Sequence, residues 1–224
     1  MNQKLEIQNT ADGSPTLFVP SLNESYHSHK GALSESQYVY IECGLQYFAQ
    51  VNSSEKIRVF EVGFGTGLNA VLSWQFAASD QQKIEYETVE AFPILPEIWQ
   101  KLHYFQSQQE KEIFQKLHEM DWGSDQAVDE FFTFKKFDST LESIETSGAY
   151  DVIFFDAFAP SKQADIWRIE NLEKIFHSMN PSGVLVTYCS QGQFKRNLKQ
   201  LGFEVEVLPG ALEKKEMVRA IKPS

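Results

Sequence analysis

Acidic residues end four apolar runs of this chain, and three glycines alternate just after the first of them. The stretch reads Phe60-Glu61-Val62-Gly63-Phe64-Gly65-Thr66-Gly67-Leu68-Asn69. A β-type run over 57–62 enters it and a helical pattern over 68–78 leaves it. A turn built on Gly63, Gly65 and Gly67 has no Cβ atoms, so a ligand can lie against bare backbone. The dinucleotide spacing, G-x-G-x-x-G, would need a glycine at position 68, where Leu68 stands. Glu61 would also repel a pyrophosphate, whereas it tolerates a cationic ligand.

The other acids have chemistry of their own. Glu90 lies 23 residues beyond Gly67 at the end of the next β-type run, where a carboxylate can accept both hydroxyls of a ribose. Phe92 is either a face for a nucleobase or a core aromatic. Asp138 is either an acceptor for an adenine amino group or an N-cap partner of Ser139. Asp156 follows the most apolar run, 151–155, and heads Asp156-Ala157-Phe158-Ala159-Pro160. There it can hold an incoming amine and take up its proton, or simply shape a turn before proline. The five histidines show no metal-ligand spacing beyond His27-x-His29, so no metal is expected.

Strands and helices must alternate to bring these residues together. Residues 4–8 and 16–19 form a hairpin around Asp12-Gly13, and a helix capped by Ser34 runs to about Gln50. Strands are expected at 57–62, 84–89, 131–137, 151–155 and 184–189. Helices are expected at 68–78, from Pro93 through Leu117 with a break, at 139–146, 165–179 and 191–201. Two last strands, 203–208 and 217–221, lack a helix between them and form an antiparallel hairpin. This order implies an α/β, doubly wound, mostly parallel sheet over 53–224, with 1–52 as a hairpin-and-helix extension packed on it. Ligands of such sheets lie outside the carboxyl ends of the strands, where the acids fall.

Composition narrows the setting. No apolar run approaches the roughly 20 residues of a membrane span, and the first residues lack a signal-peptide pattern. Cys43 and Cys189 form no C-x-x-C pair, which suits reduced thiols in a cytoplasmic protein without a cysteine nucleophile. The net charge is −11, made of −12 over 1–149 and +1 over 150–224. A polyanionic partner would have to dock on a local patch of the last third, drawn from Lys162, Arg168, Lys195, Arg196, Lys199, Lys214, Lys215 and Arg219. Alone, the same residues read as a solvated basic face.

The E-x-G-x-G-x-G pattern resembles the S-adenosylmethionine loop of Rossmann-like class I methyltransferases. Together with Glu90-Ala91-Phe92-Pro93, Asp156-Ala157-Phe158-Ala159-Pro160-Ser161-Lys162, Asp165-Ile166-Trp167 and Lys214-Lys215-Glu216-Met217, it resembles one family along nearly the whole chain. That family is the methyltransferase domain of the bifunctional tRNA 5-methylaminomethyl-2-thiouridine biosynthesis proteins. The resemblance implies methyl transfer from S-adenosylmethionine to the amine of 5-aminomethyluridine, thiolated or not, at the tRNA wobble position. It implies cofactor contacts from Glu61, Gly63, Gly65, Gly67, Asn69, Glu90, Phe92, Asp138 and Asp156, with Asp156 catalytic. With tRNA as partner through its anticodon region, Phe158, Pro160, Lys162, Lys195, Arg196, Lys214 and Lys215 become the candidate substrate and tRNA contacts, without fixing which surface docks the anticodon stem. It also implies a stand-alone form without the FAD-dependent oxidase domain. The family often has lysine at the place of Ala91 and arginine at that of Lys215, and lysine cannot grip a phosphate bidentately. Two other readings stay open: methylation of a small-molecule or protein amine, and a catalytically silent nucleoside-binding module. The sequence sets no oligomeric state, monomer included.

Overall fold

The structure, a computed structural model, describes residues 4–145, 148–213 and 215–224. In chain order come β1 (Glu6–Asn9), β2 (Pro15–Val19), β3 (Glu24–Ser25), α1 (Ala32–Ser36), a π-helical segment (Gln37–Gln46) and α2 (Tyr47–Val51). Then follow β4 (Lys56–Val62), α3 (Leu68–Asp80), β5 (Lys83–Glu90), α4 (Pro96–Trp99), α5 (Gln108–Glu119), β6 (Gln126–Ala127), β7 (Phe132–Asp138) and β8 (Tyr150–Phe155). The chain ends with a 3-10 turn (Ala164–Trp167), α6 (Ile169–Ser178), β9 (Met179–Thr187), α7 (Gly192–Leu201), β10 (Glu204–Leu208) and β11 (Met217–Ile221).

Eight strands form one sheet in the order β10-β11-β9-β8-β4-β5-β7-β6. The pairs β4/β5, β4/β8, β5/β7 and β8/β9 are parallel. β11 runs against both β9 and β10, giving the antiparallel ending expected from the sequence. Every residue of β8 is buried, because helices cover both faces of a parallel sheet. Val152 and Phe154 face a core shared with α3, α5 and the first helical stretch, while Ile153 and Phe155 face α6 and α7.

The first helical stretch is capped from a distance. Ser34 lies inside α1 rather than at its N-cap, which is Gly31. The Asp12 carboxylate in the β1–β2 turn accepts from Ser34 N (3.1 Å) and Ser34 Oγ (2.8 Å). Ser14 Oγ accepts from Ala32 N (3.1 Å) and Leu33 N (3.2 Å). The hairpin thus satisfies the orphan amides that a local serine was expected to satisfy. Burial opposes the charge on Asp12, but hydrogen bonds from the Ser14 and Thr10 hydroxyls, with the backbone amides of Ser14 and Ser34, hold its carboxyl well below the usual carboxylate range.

Other expectations change at their edges. No helix forms over the described part of 139–146, where Lys174 Nζ of α6 donates to the carbonyls of Leu141 (2.7 Å), Glu142 (3.2 Å) and Ile144; Thr146 lies outside the described residues. The helix expected at 165–179 splits into the 3-10 turn and α6. β9 starts earlier than expected: Met179 pairs with Tyr150, the chain bulges through Pro181-Ser182-Gly183, and pairing resumes at Val184 with Val152. β3 and β6 were not anticipated, being only two residues each. No helix among the described residues is long and apolar enough to cross a membrane.

The first helical stretch lies hard on the sheet at Gly44. A Cβ there would sit 2.7 Å from Val186 Cγ2 and 3.3 Å from Phe154 Cε1. Gly44→Ala gains up to about 1 kcal/mol of helix propensity but overpacks a buried contact, which costs about 1–3 kcal/mol. Urea unfolding should show a net loss of roughly 1–2 kcal/mol; an unchanged midpoint would mean the helix is free to move off β9.

Candidate functional site

A cavity of about 900 Å³ opens at the carboxyl ends of β4, β5 and β8. Of the residues expected there, Gly63, Gly65, Asn69, Glu90 and Phe92 line it. Asp156, Phe158 and Lys162 line it as well. Its size lies at the upper end of small-molecule sites.

The glycine loop is shaped by one close approach. Gly63 has φ 95°, and a Cβ on it would lie 2.5 Å from the carbonyl oxygen of Asp156. Only glycine permits both the dihedral and the approach. Gly65, at φ 51°, presents its backbone to the cavity beneath the ring of Tyr26. Glu90 ties this loop to β5: its carboxylate accepts from Gly65 N (2.8 Å) and from Phe92 N (2.8 Å). Burial raises its pKa, and the backbone amides oppose that rise. Phe92 is 68% exposed and forms the rim, so it is not a core aromatic.

Asp156 is held on both oxygens. Tyr40 OH donates to Oδ1 (2.5 Å) and Asn69 Nδ2 donates to Oδ2 (2.8 Å). Asn69 Nδ2 also reaches Glu61 Oε1 (3.0 Å), whose other oxygen accepts from Thr88 Oγ1 (2.9 Å). Glu61 is 0% exposed and lies beneath the loop rather than on the cavity wall. Burial, and then the charge of Asp156, push its carboxyl well above the usual range. Its place is therefore to hold Asn69, not to face a ligand. Trp167 Nε1 donates to Phe158 O (2.7 Å), and Lys162 Nζ donates to Leu22 O (2.8 Å), which together fix the chain after Asp156.

Several expected residues stand elsewhere. Gly67 is the left-handed N-cap of α3 and lies off the cavity wall, as does Pro160. Asp138 is exposed at the end of β7, beside Glu90 in register, while Ser139 and Thr140 take the wall. Asp138 caps no helix, since none follows it. Lys195 pairs with Glu216 (3.0 Å), Arg196 Nη2 donates to Gln193 (2.7 Å), and both belong to α7, away from the cavity. Lys215 is exposed in the connection between β10 and β11, and Lys214 lies outside the described residues. Arg168 pairs with Asp165.

Sequence reasoning missed Tyr26, His27, Tyr40 and Tyr188. Tyr26 and His27 follow β3 and line the cavity; Tyr26 meets Phe158 edge-on at 5.0 Å. Tyr40 reaches Asp156 from the π-helical segment across the sheet, and Tyr188 lines the cavity after β9 with its hydroxyl on Ala157 O (2.8 Å). His-x-His was the one visible signal, read then only for metal.

The wall suits S-adenosylmethionine. Glu90 offers acceptors for ribose hydroxyls, the glycines leave room against bare backbone, and among the described lining residues the carboxylates of Glu90, Glu142, Asp156 and Asp165 would repel a pyrophosphate. Asn69 Oδ1 is buried without a hydrogen-bond partner, an acceptor suited to an ammonium group. Residues that would hold the cofactor are therefore Gly63, Gly65, Asn69 and Glu90, with Phe92 at the rim.

Behind the loop, His118 Nε2 meets Thr66 O (3.1 Å) and its ring stacks on Trp99 at 4.7 Å. Burial lowers its pKa to about 3, so it is neutral in the fold and donates to Thr66. An unfolded chain, with histidine near about 6.5, binds the proton first. Stability is therefore intact above pH 6.5 and falls as pH drops toward 3. Between pH 7 and 5 this one group should remove about 2 kcal/mol. In urea unfolding at both pH values, His118→Gln should show a correspondingly shallower loss; equal losses in both proteins would contradict the assignment.

The comparisons agree with this geometry. A family profile described as S-adenosyl-L-methionine-dependent methyltransferase matches residues 97–223. A tRNA 5-methylaminomethyl-2-thiouridine biosynthesis bifunctional protein of Pseudomonas fluorescens is 27% identical over 213 residues, 88% of this chain and 32% of that protein. The Paracidovorax citrulli protein of the same name is 27% identical over 222 residues, 93% of this chain and 34% of its own length. The chain thus spans about a third of these relatives. The crystal structure of MnmC2 from Aquifex aeolicus superposes with a TM-score of 0.80 at 25% identity, covering 100% of this chain and 73% of that one. With more than half of its length matched, the chain belongs to the S-adenosyl-L-methionine-dependent methyltransferase family.

Proposed function

We propose that this protein transfers the methyl group of S-adenosylmethionine to the exocyclic amine of 5-aminomethyluridine, or its 2-thio form, at the wobble position of tRNA. The observation that carries the reading is the immobilised Asp156 carboxylate at the cavity wall, held by Tyr40 and Asn69 beside the cofactor cradle. The names of the relatives supply the substrate class. The reading goes with a place of action in the cytoplasm and with recognition of the anticodon region.

When bound, S-adenosylmethionine supplies an electrophilic methyl on a sulfonium centre. The protein's part is to align the acceptor and manage its proton. Asp156 accepts a hydrogen bond from the amine, orients it and takes up the proton it must lose, while Tyr40 and Asn69 keep the carboxylate in one rotamer. Phe158 and Tyr26, in edge contact, form an aromatic wall against which a pyrimidine ring can lie. Lys162, tied to Leu22 O, anchors the loop rather than reaching for phosphate. The second reading, a small-molecule or protein amine as acceptor, draws support from the acidic balance and from the pairing of Lys195 and Arg168 with acids.

Incubation with labelled cofactor and tRNA bearing 5-aminomethyluridine, followed by mass spectrometry of nucleosides, separates the two. Labelled 5-methylaminomethyluridine is the expected product; label confined to other amines would favour the second reading. In single-turnover assays Asp156→Ala should lose at least about a hundredfold in rate, with a smaller change in cofactor affinity. Asp156→Asn, which keeps an acceptor, should fall between. Transfer by Asp156→Ala at the wild-type rate would make Asp156 a turn residue. Replacing Lys195, Arg196 and Lys215 with alanine should flatten the salt dependence of tRNA binding. An unchanged slope would move the docking surface away from α7 and the β10–β11 connection.

A further inference from the structure

We propose that His27, carried by the N-terminal hairpin, recognises the amino-acid carboxylate of the cofactor. The inference rests on the cofactor class alone and not on the tRNA reading. A charge mismatch motivates it. S-adenosylmethionine carries a carboxylate as well as its sulfonium, yet the cavity is lined by the carboxylates of Glu90, Glu142, Asp156 and Asp165. Among the described residues the basic side chains on its wall are Lys4, His27 and Lys162. Lys4 pairs with Glu6 (2.9 Å) and is largely exposed. Lys162 donates to Leu22 O (2.8 Å), a neighbour on the same wall.

His27 stands at the right end of the cavity. The strand order β7-β5-β4-β8 sets a direction: Glu90 on β5 is the ribose acceptor, Ser139 and Thr140 after β7 lie to one side, and Gly63, Asn69 and Asp156 lie to the other. A nucleoside on Glu90 with its base toward β7 directs its amino-acid arm toward β4 and β8. His27 meets the glycine loop there, with Nε2 3.5 Å from Thr66 Oγ1. Its other nitrogen is engaged from behind. Thr16 Oγ1, which accepts from His27 N (3.1 Å), lies 3.1 Å from Nδ1. A hydroxyl donating to Nδ1 leaves the ring proton on Nε2, toward the cavity. The ring edge of Tyr104 at 6.2 Å completes the support. A carboxylate beside the glycine loop would thus receive one side-chain donor, held in place by a strand of the hairpin.

Calorimetry with S-adenosylmethionine and with its decarboxylated analogue isolates this contact, because only the first has the carboxylate. His27→Ala should weaken S-adenosylmethionine about ten- to a hundredfold and leave the analogue within about threefold. His27→Gln, which keeps an N–H donor, should recover part of the loss. Equal weakening of both ligands would make His27 a packing residue, and no weakening of either would overturn the proposal outright. The wild-type protein gives an independent check should the variants fold poorly. With 15N-labelled histidine, the His27 Nε2 resonance should move on addition of S-adenosylmethionine and much less with the analogue. Identical responses to the two ligands would also overturn it. Absence of tRNA methylation would leave these binding results untouched, so the two readings fail separately.

Discussion

Gly63 and Asp156 cannot be moved independently. The carbonyl of Asp156 occupies the place where a side chain on residue 63 would begin, and Asp156 N donates to Val62 O (3.0 Å). Gly63 N in turn donates to Val89 O (3.0 Å), and Gly65 N to Glu90 (2.8 Å). Three adjacent strand ends, β5, β4 and β8, are therefore locked to each other by backbone bonds at the point where the cofactor loop turns away. The carboxylate expected to meet the acceptor and the carboxylate expected to hold the cofactor share one rigid frame. Positioning of that kind is what a displacement at carbon needs most from a protein.

The N-terminal hairpin and helix complete this frame rather than decorate it. Asp12 and Ser14 cap the helix that brings Tyr40 to Asp156, and Gly44 lets that helix lie close to Val186. The same hairpin carries Tyr26 over Gly65 and His27 onto Thr66. Thr66 is gripped from the other side by His118. A residue in the extension thus faces each functional part of the cavity, although the extension contributes no strand to the main sheet.

What the sequence made legible was local. The glycine spacing, the uniformly apolar β8 and the strand-end acids each follow from residues within a few positions of one another, and they placed Gly63, Gly65, Asn69, Glu90 and Asp156 on the cavity. What it hid was long-range. Tyr40 lies 116 residues from Asp156, and no period or motif marks such a pair. Ser34 looked like a cap because serine usually is one; Asp12, 22 residues away, supplies the acceptor. The helix after Asp138 had a reasonable pattern, but Lys174 drew its carbonyls into a turn. Glu61 had the right type for a ligand contact, and only burial shows that it faces Asn69 instead. Charge counts singled out a near-neutral last third in an acidic chain but could not show that Lys195 and Arg168 already hold acidic partners.

The acidic wall itself becomes intelligible once charge is followed rather than counted. A sulfonium donor is positive, and a newly methylated amine is positive before it loses its proton. In the proposed reaction a positive charge is thus present in the cavity on both sides of the transfer and moves only from sulfur to nitrogen. Carboxylates at Glu90, Glu142, Asp156 and Asp165 favour both arrangements. They therefore help chiefly by retaining the charge; the difference between the two arrangements comes from the one carboxylate nearest the acceptor. In the proposed reaction Asp156 is that group, and the fixed donors Tyr40 and Asn69 would spare it reorganisation when the charge shifts. Glu61 could have added a second buried negative charge within the same network, but burial, and then the charge of Asp156, push its carboxyl well above the usual range and so favour the neutral form. The cofactor's carboxylate is the one group that such a wall disfavours, and the proposed His27 contact would answer that need without weakening the acidic side proposed to face the amine.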